Sequence, residues 1–181
     1  ELQLSCWGNN VLSLAVRGSF DDCQALVKAM MSNADMRKAY GFSSANSINI
    51  GRLLPQCTYY AHAAMQHLRA TGRKPSFVVP AGNLGNGFAC IVARHAGLPI
   101  GNVVLATNVN RLIADYLDGS EWLPRASIAT LASAMDVGYA SNMERLRSLL
   151  GNADRIRQSL RVFSISDDEI RRQIRKDYQR F

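Results

Sequence analysis

The chain has 181 residues, 48% of them hydrophobic and 19% charged, with a formal net charge of +7. That size and balance fit one large or two small globular domains, at about 100–200 residues each, and exclude a disordered or fibrous chain. No run approaches the ~20 apolar residues of a membrane span and no secretory signal pattern opens the sequence, so it reads as soluble and cytoplasmic.

The positive charge does not mark a nucleic-acid binder. Residues 144–181 hold ten Lys/Arg, but six Asp/Glu are interleaved with them, the pattern of a solvated helix face. No motif of a basic nucleic-acid module is present. A modest positive excess also suits an anionic small molecule. Cys6, Cys23, Cys57 and Cys90 are widely spaced, without a CxxC pair, so they are expected as reduced, buried thiols rather than as zinc or redox ligands. His62, His67 and His95 lack metal-ligand spacing. The opening "ELQLSCWGNNV" reads as the end of a helix, and "RKDYQRF" as a helix without a stop signal. A piece of a longer protein is expected.

In chain order, residues 10–17 ("NVLSLAVR") read as a buried strand broken by Gly18. Ser19 or Asp21 can cap a helix over "FDDCQALVKAMMS", and a second short helix, 34–40, stops at Gly41. A long helical pattern runs from Ile50 through Leu53, Cys57, Ala61 and Ala64 to Leu68, with Pro55 placing the helix proper near Leu54. Strands are expected at 76–80 and 102–108, and helices at 87–95 and 110–117. This alternation at βαβ spacing implies a parallel sheet. Residues 120–135 are irregular, and three helices, 143–150, 153–160 and 167–179, form a helical C-terminal part.

Two segments carry chemistry. Gly82, Asn83, Leu84, Gly85 and Asn86 join a strand to a helix. Such a turn gathers backbone N–H groups at a helix N-terminus, a natural anion site. Glycine there permits close approach and φ > 0. The dinucleotide GxGxxG fingerprint fails because position 84 is Leu, and no P-loop lysine follows. A structural turn and a cradle for a single phosphate both fit these residues. Upstream, Asn46, Ser47, Asn49 and Arg52 gather amides, a hydroxyl and a guanidinium near another helix start. Arg is the natural fork for phosphate or carboxylate, and a capping segment with a solvated Arg is the plainer alternative. Two phosphate-type sites in one chain suggest a phosphorylated cofactor facing a phosphorylated substrate.

"NSINIGRLLPQCTYY", "FVVPAGNLGNGFACIVARHAGLPI", "VVLATNVNRLIADYLDGSEWLPRASIATLASAMDV" and "SNMERL" occur in that order. They resemble the threonine synthase family, in its long bacterial and fungal branch. The resemblance covers essentially residues 1–178. It implies a fold type II pyridoxal 5'-phosphate (PLP) enzyme, similar to the tryptophan synthase β fold. That is a three-layer α/β/α parallel-sheet core, incomplete here, with the helical C-terminal part appended. The family's reaction converts O-phospho-L-homoserine and water to L-threonine and phosphate. By the resemblance, Gly82, Asn83, Leu84, Gly85 and Asn86 hold the PLP 5'-phosphate. Asn46, Ser47 and Arg52, with Asn49 less firmly matched, hold the substrate phosphate. Asn108 matches the family's "ATN" element without an assigned role. Residues 1–45 would be the end of a small, mobile domain and 46–181 part of the large one, with the Asn46–Arg52 stretch near the hinge.

The family's Schiff-base lysine lies in a Phe-Lys-Asp motif upstream of the point matching Glu1. Lys28, Lys38, Lys74 and Lys176 stand outside that motif. No catalytic residue is therefore expected within the chain, which reads as a central segment inactive by itself. The expected partner is the small-molecule substrate, with no nucleic acid or membrane, in a monomer or homodimer. Two other readings stay open: a threonine-synthase-like phospho-lyase acting on another phosphorylated hydroxy-amino acid, and a non-catalytic module binding phosphate esters or nucleic acid.

Overall fold

Ser19 starts the first helix, α1 (Phe20–Ser32), with a capping box in which its hydroxyl and backbone both engage Asp22. Asn33 closes α1 and caps α2 (Ala34–Tyr40), which ends where Gly41 enters the left-handed region at φ 59°. The computed structural model describes residues 8–181, in two units: one ends at Phe42 and the other is Ser43–Phe181. The reading of the opening residues as a helix end, and Cys6, fall largely or wholly outside the described residues.

Residues 11–16 form no strand. Leu12 is 81% exposed and Leu14 74% exposed. Apolar composition makes a strand only where a ladder partner and a core receive it, and the sheet formed by the described residues does not include this segment.

In the second unit, helix formation begins before the expected Leu54. Asn49 caps α3 (Ile50–Leu53) by accepting from the Gly51 amide at 2.9 Å. Pro55 is absorbed in a single 3-10 turn, Leu54–Gln56, and α4 (Cys57–Thr71) follows. Proline lacks an N–H to lose there, so the path bends without breaking. Then β1 (Phe77–Pro80), α5 (Gly85–His95), β2 (Val103–Thr107) and α6 (Leu112–Leu117) alternate, close to the spacing read from the sequence.

After a mostly irregular stretch come α7 (Met143–Leu150), α8 (Ala153–Ser159), β3 (Arg161–Ser164) and α9 (Asp167–Arg180). β3 corrects the expectation of a wholly helical C-terminal part. Only four residues long and opened by an arginine, it gives almost no alternation to read. The sheet is β1-β2-β3, all parallel, with Leu105 of the central strand opposite Val79 on one side and Val162 on the other.

The core lies where α5 packs on the sheet and α4. Ala89, Cys90, Ile91 and Ala93 of α5 are fully buried, with Val103 and Leu105 beneath them. Gly87 allows this closeness: a Cβ there would stand 2.7 Å from Leu105 Cδ2. Burial pushes the Cys90 thiol up to about 12, so it stays protonated. Cys23 and Cys57 are only half-buried, against expectation. No described helix is long and apolar enough to cross a membrane. Because Leu105 is completely enclosed, Leu105→Ala is expected to cost about 3 kcal/mol through lost transfer energy and a cavity, measured as a lowered urea midpoint.

Candidate functional site

The carboxyl ends of β1 and β2 feed the two loops that build the site, the position where open α/β sheets gather ligands. Ala81 still belongs to the sheet, its amide donating to Ala106 O at 2.8 Å. The chain then turns through Gly82, Asn83 and Leu84 into α5. Leu84 takes the left-handed conformation at φ 64°, alone among the described non-glycine residues. Gly82, Gly85 and Gly87 do not adopt positive φ, which corrects the expectation that they serve φ > 0.

The glycines are there for space. A Cβ on Gly82 would lie 3.0 Å from Met135 Cα and 3.2 Å from Val137 Cγ2. One on Gly85 would lie 2.9 Å from Leu53 Cδ2 and 3.2 Å from Ser47 Cβ. The loop is therefore clasped between the 135–137 turn and the Ser47–Leu53 segment. Leu84, 3% exposed, anchors it from below.

Leu84 also explains why the start of α5 can take an anion. It supplies no capping hydrogen bond, and the first turn contains no acidic residue. The first-turn amides have no intrahelical acceptor and carry the positive end of the helix dipole. Donors of that kind at a helix start suit an anionic group such as a phosphate monoester.

The two candidate sites meet directly. Asn83 Nδ2 donates to Ser47 Oγ at 2.7 Å. Asn83 Oδ1 accepts from the Ser141 amide at 2.6 Å and its hydroxyl at 3.0 Å, and Asn83 O accepts from Asn142 Nδ2 at 2.8 Å. Asn83 thus links the glycine loop to the Asn46–Arg52 segment and to the start of α7. Asn86 points elsewhere. Its amide nitrogen donates to Tyr59 OH at 2.6 Å, while its oxygen accepts from Tyr60 OH. Burial raises both phenols above their usual range, so both remain neutral donors.

On the upstream segment, Asn46 Oδ1 accepts from the Ile48 amide at 2.9 Å and from Ser44 Oγ at 2.8 Å, closing a tight turn. Both ends of the Asn49 side chain are engaged, with Gly51 N and with Ser44 O at 2.9 Å each. Asn49 shapes the backbone as a cap. Arg52 is exposed and lines a cavity of about 410 Å³ with Gly51, Pro55, Gln56 and Tyr59. Tyr59 OH donates to Gln56 Oε1 at 2.8 Å and Gln56 Nε2 to Arg52 O at 2.8 Å. A polar chain therefore runs from Asn86 to the backbone of Arg52.

Sequence reasoning gave Asn108 no role and did not single out Asp136 or Arg145. Asn108 Nδ2 donates to Asp136 Oδ1 at 2.6 Å and to Thr130 Oγ1 at 2.9 Å. Asp136 also accepts from the Thr130 amide at 3.0 Å and hydroxyl at 2.8 Å. This knot fixes the turn whose Met135 and Val137 back Gly82. Arg145 on α7 donates to Ser47 O at 2.8 Å, and to Ile48 O and Asn142 Oδ1. The "SNMERL" and "SAMD" stretches were the available signals, read as motif without geometry.

No protein-family profile matches the chain. It is 42% identical over 142 residues to the threonine synthase of Haemophilus influenzae, 78% of this chain and 33% of that protein. With the threonine synthase of Buchnera aphidicola subsp. Schizaphis graminum it shares 36% over 167 residues, 92% of this chain and 39% of the other. Among solved structures, threonine synthase from Escherichia coli superposes with a TM-score of 0.80 at 38% identity, covering 90% of this chain and 38% of that one. A PLP-bound threonine synthase from Brucella melitensis gives 0.70 at 34%, covering 84% and 38%. The chain is related to the threonine synthases and has the α/β fold of part of them. It spans about a third of the length of the curated relatives it matches.

Leu84 offers a test of the loop's anchoring. Leu84→Gly would relieve about 1–2 kcal/mol of left-handed backbone cost but remove a buried side chain worth about 3–5 kcal/mol. The net expectation is destabilisation by about 2 kcal/mol, read from denaturant unfolding.

Proposed function

We propose that this chain supplies the phosphate-binding part of a PLP-dependent threonine synthase, which converts O-phospho-L-homoserine and water to L-threonine and phosphate in the cytoplasm. The observation that carries the reading is the Asn83–Ser47 hydrogen bond of 2.7 Å. It joins a loop suited to one phosphate to a segment suited to another, in a chain whose relatives are threonine synthases.

The loop from Gly82 to Asn86 would hold the cofactor phosphate on the first-turn amides of α5, with Asn83 and Asn86 fixing the backbone by their side-chain bonds. Bound PLP supplies the electron-withdrawing ring on which carbanion chemistry depends. The Ser47 hydroxyl, steadied as an acceptor from Asn83, keeps its proton for a substrate phosphate oxygen. The Asn46 amide and the Arg52 guanidinium add donors to that leaving group, and Asn49 holds the turn that presents them. Charge-assisted donors strengthen as phosphate departs. The Schiff-base lysine belongs to a part of the protein outside this chain. Residues 1–45 would end a mobile small domain, whose closure excludes bulk water.

The test is turnover of O-phospho-L-homoserine by the full-length protein, following threonine and phosphate together. Threonine formation supports the reading. Phosphate release from a different phosphorylated hydroxy-amino acid, without threonine, replaces it with a phospho-lyase. Salt-sensitive nucleic-acid binding without PLP absorbance removes both. Within the reading, Arg52→Ala loses charge-assisted bonds worth about 1.5–3 kcal/mol. KM for O-phospho-L-homoserine is then expected to rise about 10–100-fold, in steady-state kinetics, while PLP binding is kept.

A further inference from the structure

Arg145 is half-buried, and its guanidinium hydrogen-bonds to neutral acceptors. Its guanidinium donates to the carbonyls of two consecutive residues, Ser47 at 2.8 Å and Ile48, and to the Asn142 side chain. No carboxylate among the described residues pairs with it. Asn142 is fully buried, and its other end donates to Asn83 O at 2.8 Å. The Ser47 hydroxyl is in turn held by Asn83. These contacts close a ring: Ser47, Asn83, Asn142, Arg145 and back to the Ser47 backbone.

From this ring we infer that Arg145 is a positioning residue for the substrate-phosphate segment, acting through the Ser47 and Ile48 carbonyls rather than on substrate itself. The inference rests on the reading of Ser47 as a substrate-phosphate donor. A serine hydroxyl is aimed by its backbone and by whatever holds its oxygen. Asn83 holds the oxygen, and Arg145 holds the backbone on both sides of the following peptide. Two adjacent carbonyls demand a planar fork. An ammonium is a compact point charge and cannot span them in fixed geometry. Arg145→Lys therefore keeps the charge and removes the aim. A misplacement of order 1 Å at a positioned group is enough to cost substantial binding or rate.

The experiment uses the full-length holoenzyme in four forms: wild type, Arg145→Lys, Ser47→Ala and the double variant. Arg145→Gln, a neutral and smaller replacement, is measured beside them should the lysine variant fold poorly. Thermal unfolding and PLP absorbance report on integrity. The expected result for Arg145→Lys is a roughly tenfold rise in KM for O-phospho-L-homoserine with kcat within about twofold and PLP retained. In the Ser47→Ala background the same substitution should add less than about twofold, because the group it aims is gone. Full additivity of the two substitutions, or an unchanged KM in both Arg145→Lys and Arg145→Gln, overturns the inference. A wild-type protein that does not turn over O-phospho-L-homoserine overturns the functional reading instead, so the two failures are separable.

Discussion

The Asn83 side chain must satisfy a carboxamide in a half-buried loop, and how it does so organises the site. An unmade hydrogen bond at a buried polar group costs about 1–3 kcal/mol. Asn83 avoids that by drawing in Ser47 on one side and Ser141 on the other, residues far apart in sequence. Its backbone carbonyl is claimed as well, by Asn142. The loop is thus held by polar bonds to Ser47, Ser141 and Asn142. Asn83, expected from the sequence among the cofactor-phosphate residues, is in the fold the joint between the loop, Ser47 and the start of α7.

The opposite wall of the loop is held differently. Asp136 collects donors from Asn108 and Thr130, and that knot fixes a turn whose main chain presses on Gly82. Asn110 braces the same irregular stretch through the backbone of Ile128. A long segment with little regular structure can present a firm surface where its polar side chains hydrogen-bond one another, as Asn108, Asn110, Thr130 and Asp136 do here. The site therefore sits between two networks, one centred on Asn83 and one on Asp136, with the apolar anchor of Leu84 below.

Much of this was legible in the sequence because it depends on local signals. Ser19 and Gly41 mark helix ends by capping chemistry, and the structure uses both of them so. β1, α5 and β2 follow from a change in hydrophobic period and from Gly and Pro punctuation. What depends on distant partners was not legible. Residues 11–16 have strand composition and no ladder, whereas Arg161–Ser164 has weak composition and a ladder waiting in β2. The loop glycines look like conformational specialists. They are spacers, and the left-handed position went to Leu84, which no propensity rule would choose. The motif order identified Ser47 and the loop, yet only coordinates show that they touch, and that Arg145 reaches back to Ser47 from nearly a hundred residues away.

The three-stranded sheet has a further consequence. Among the described residues β1 and β3 each pair on one side only, and both carry apolar side chains in the open, Val78 at 64% exposure and Phe163 at 44%. Strands left unpaired in this way are templates for any extended chain that comes within reach. Produced apart from the remaining two thirds of a protein of its relatives' length, this segment would meet other copies of itself through those borders. Solubility would then become a property of how much polypeptide accompanies the sheet, not of the glycine loop at its carboxyl end.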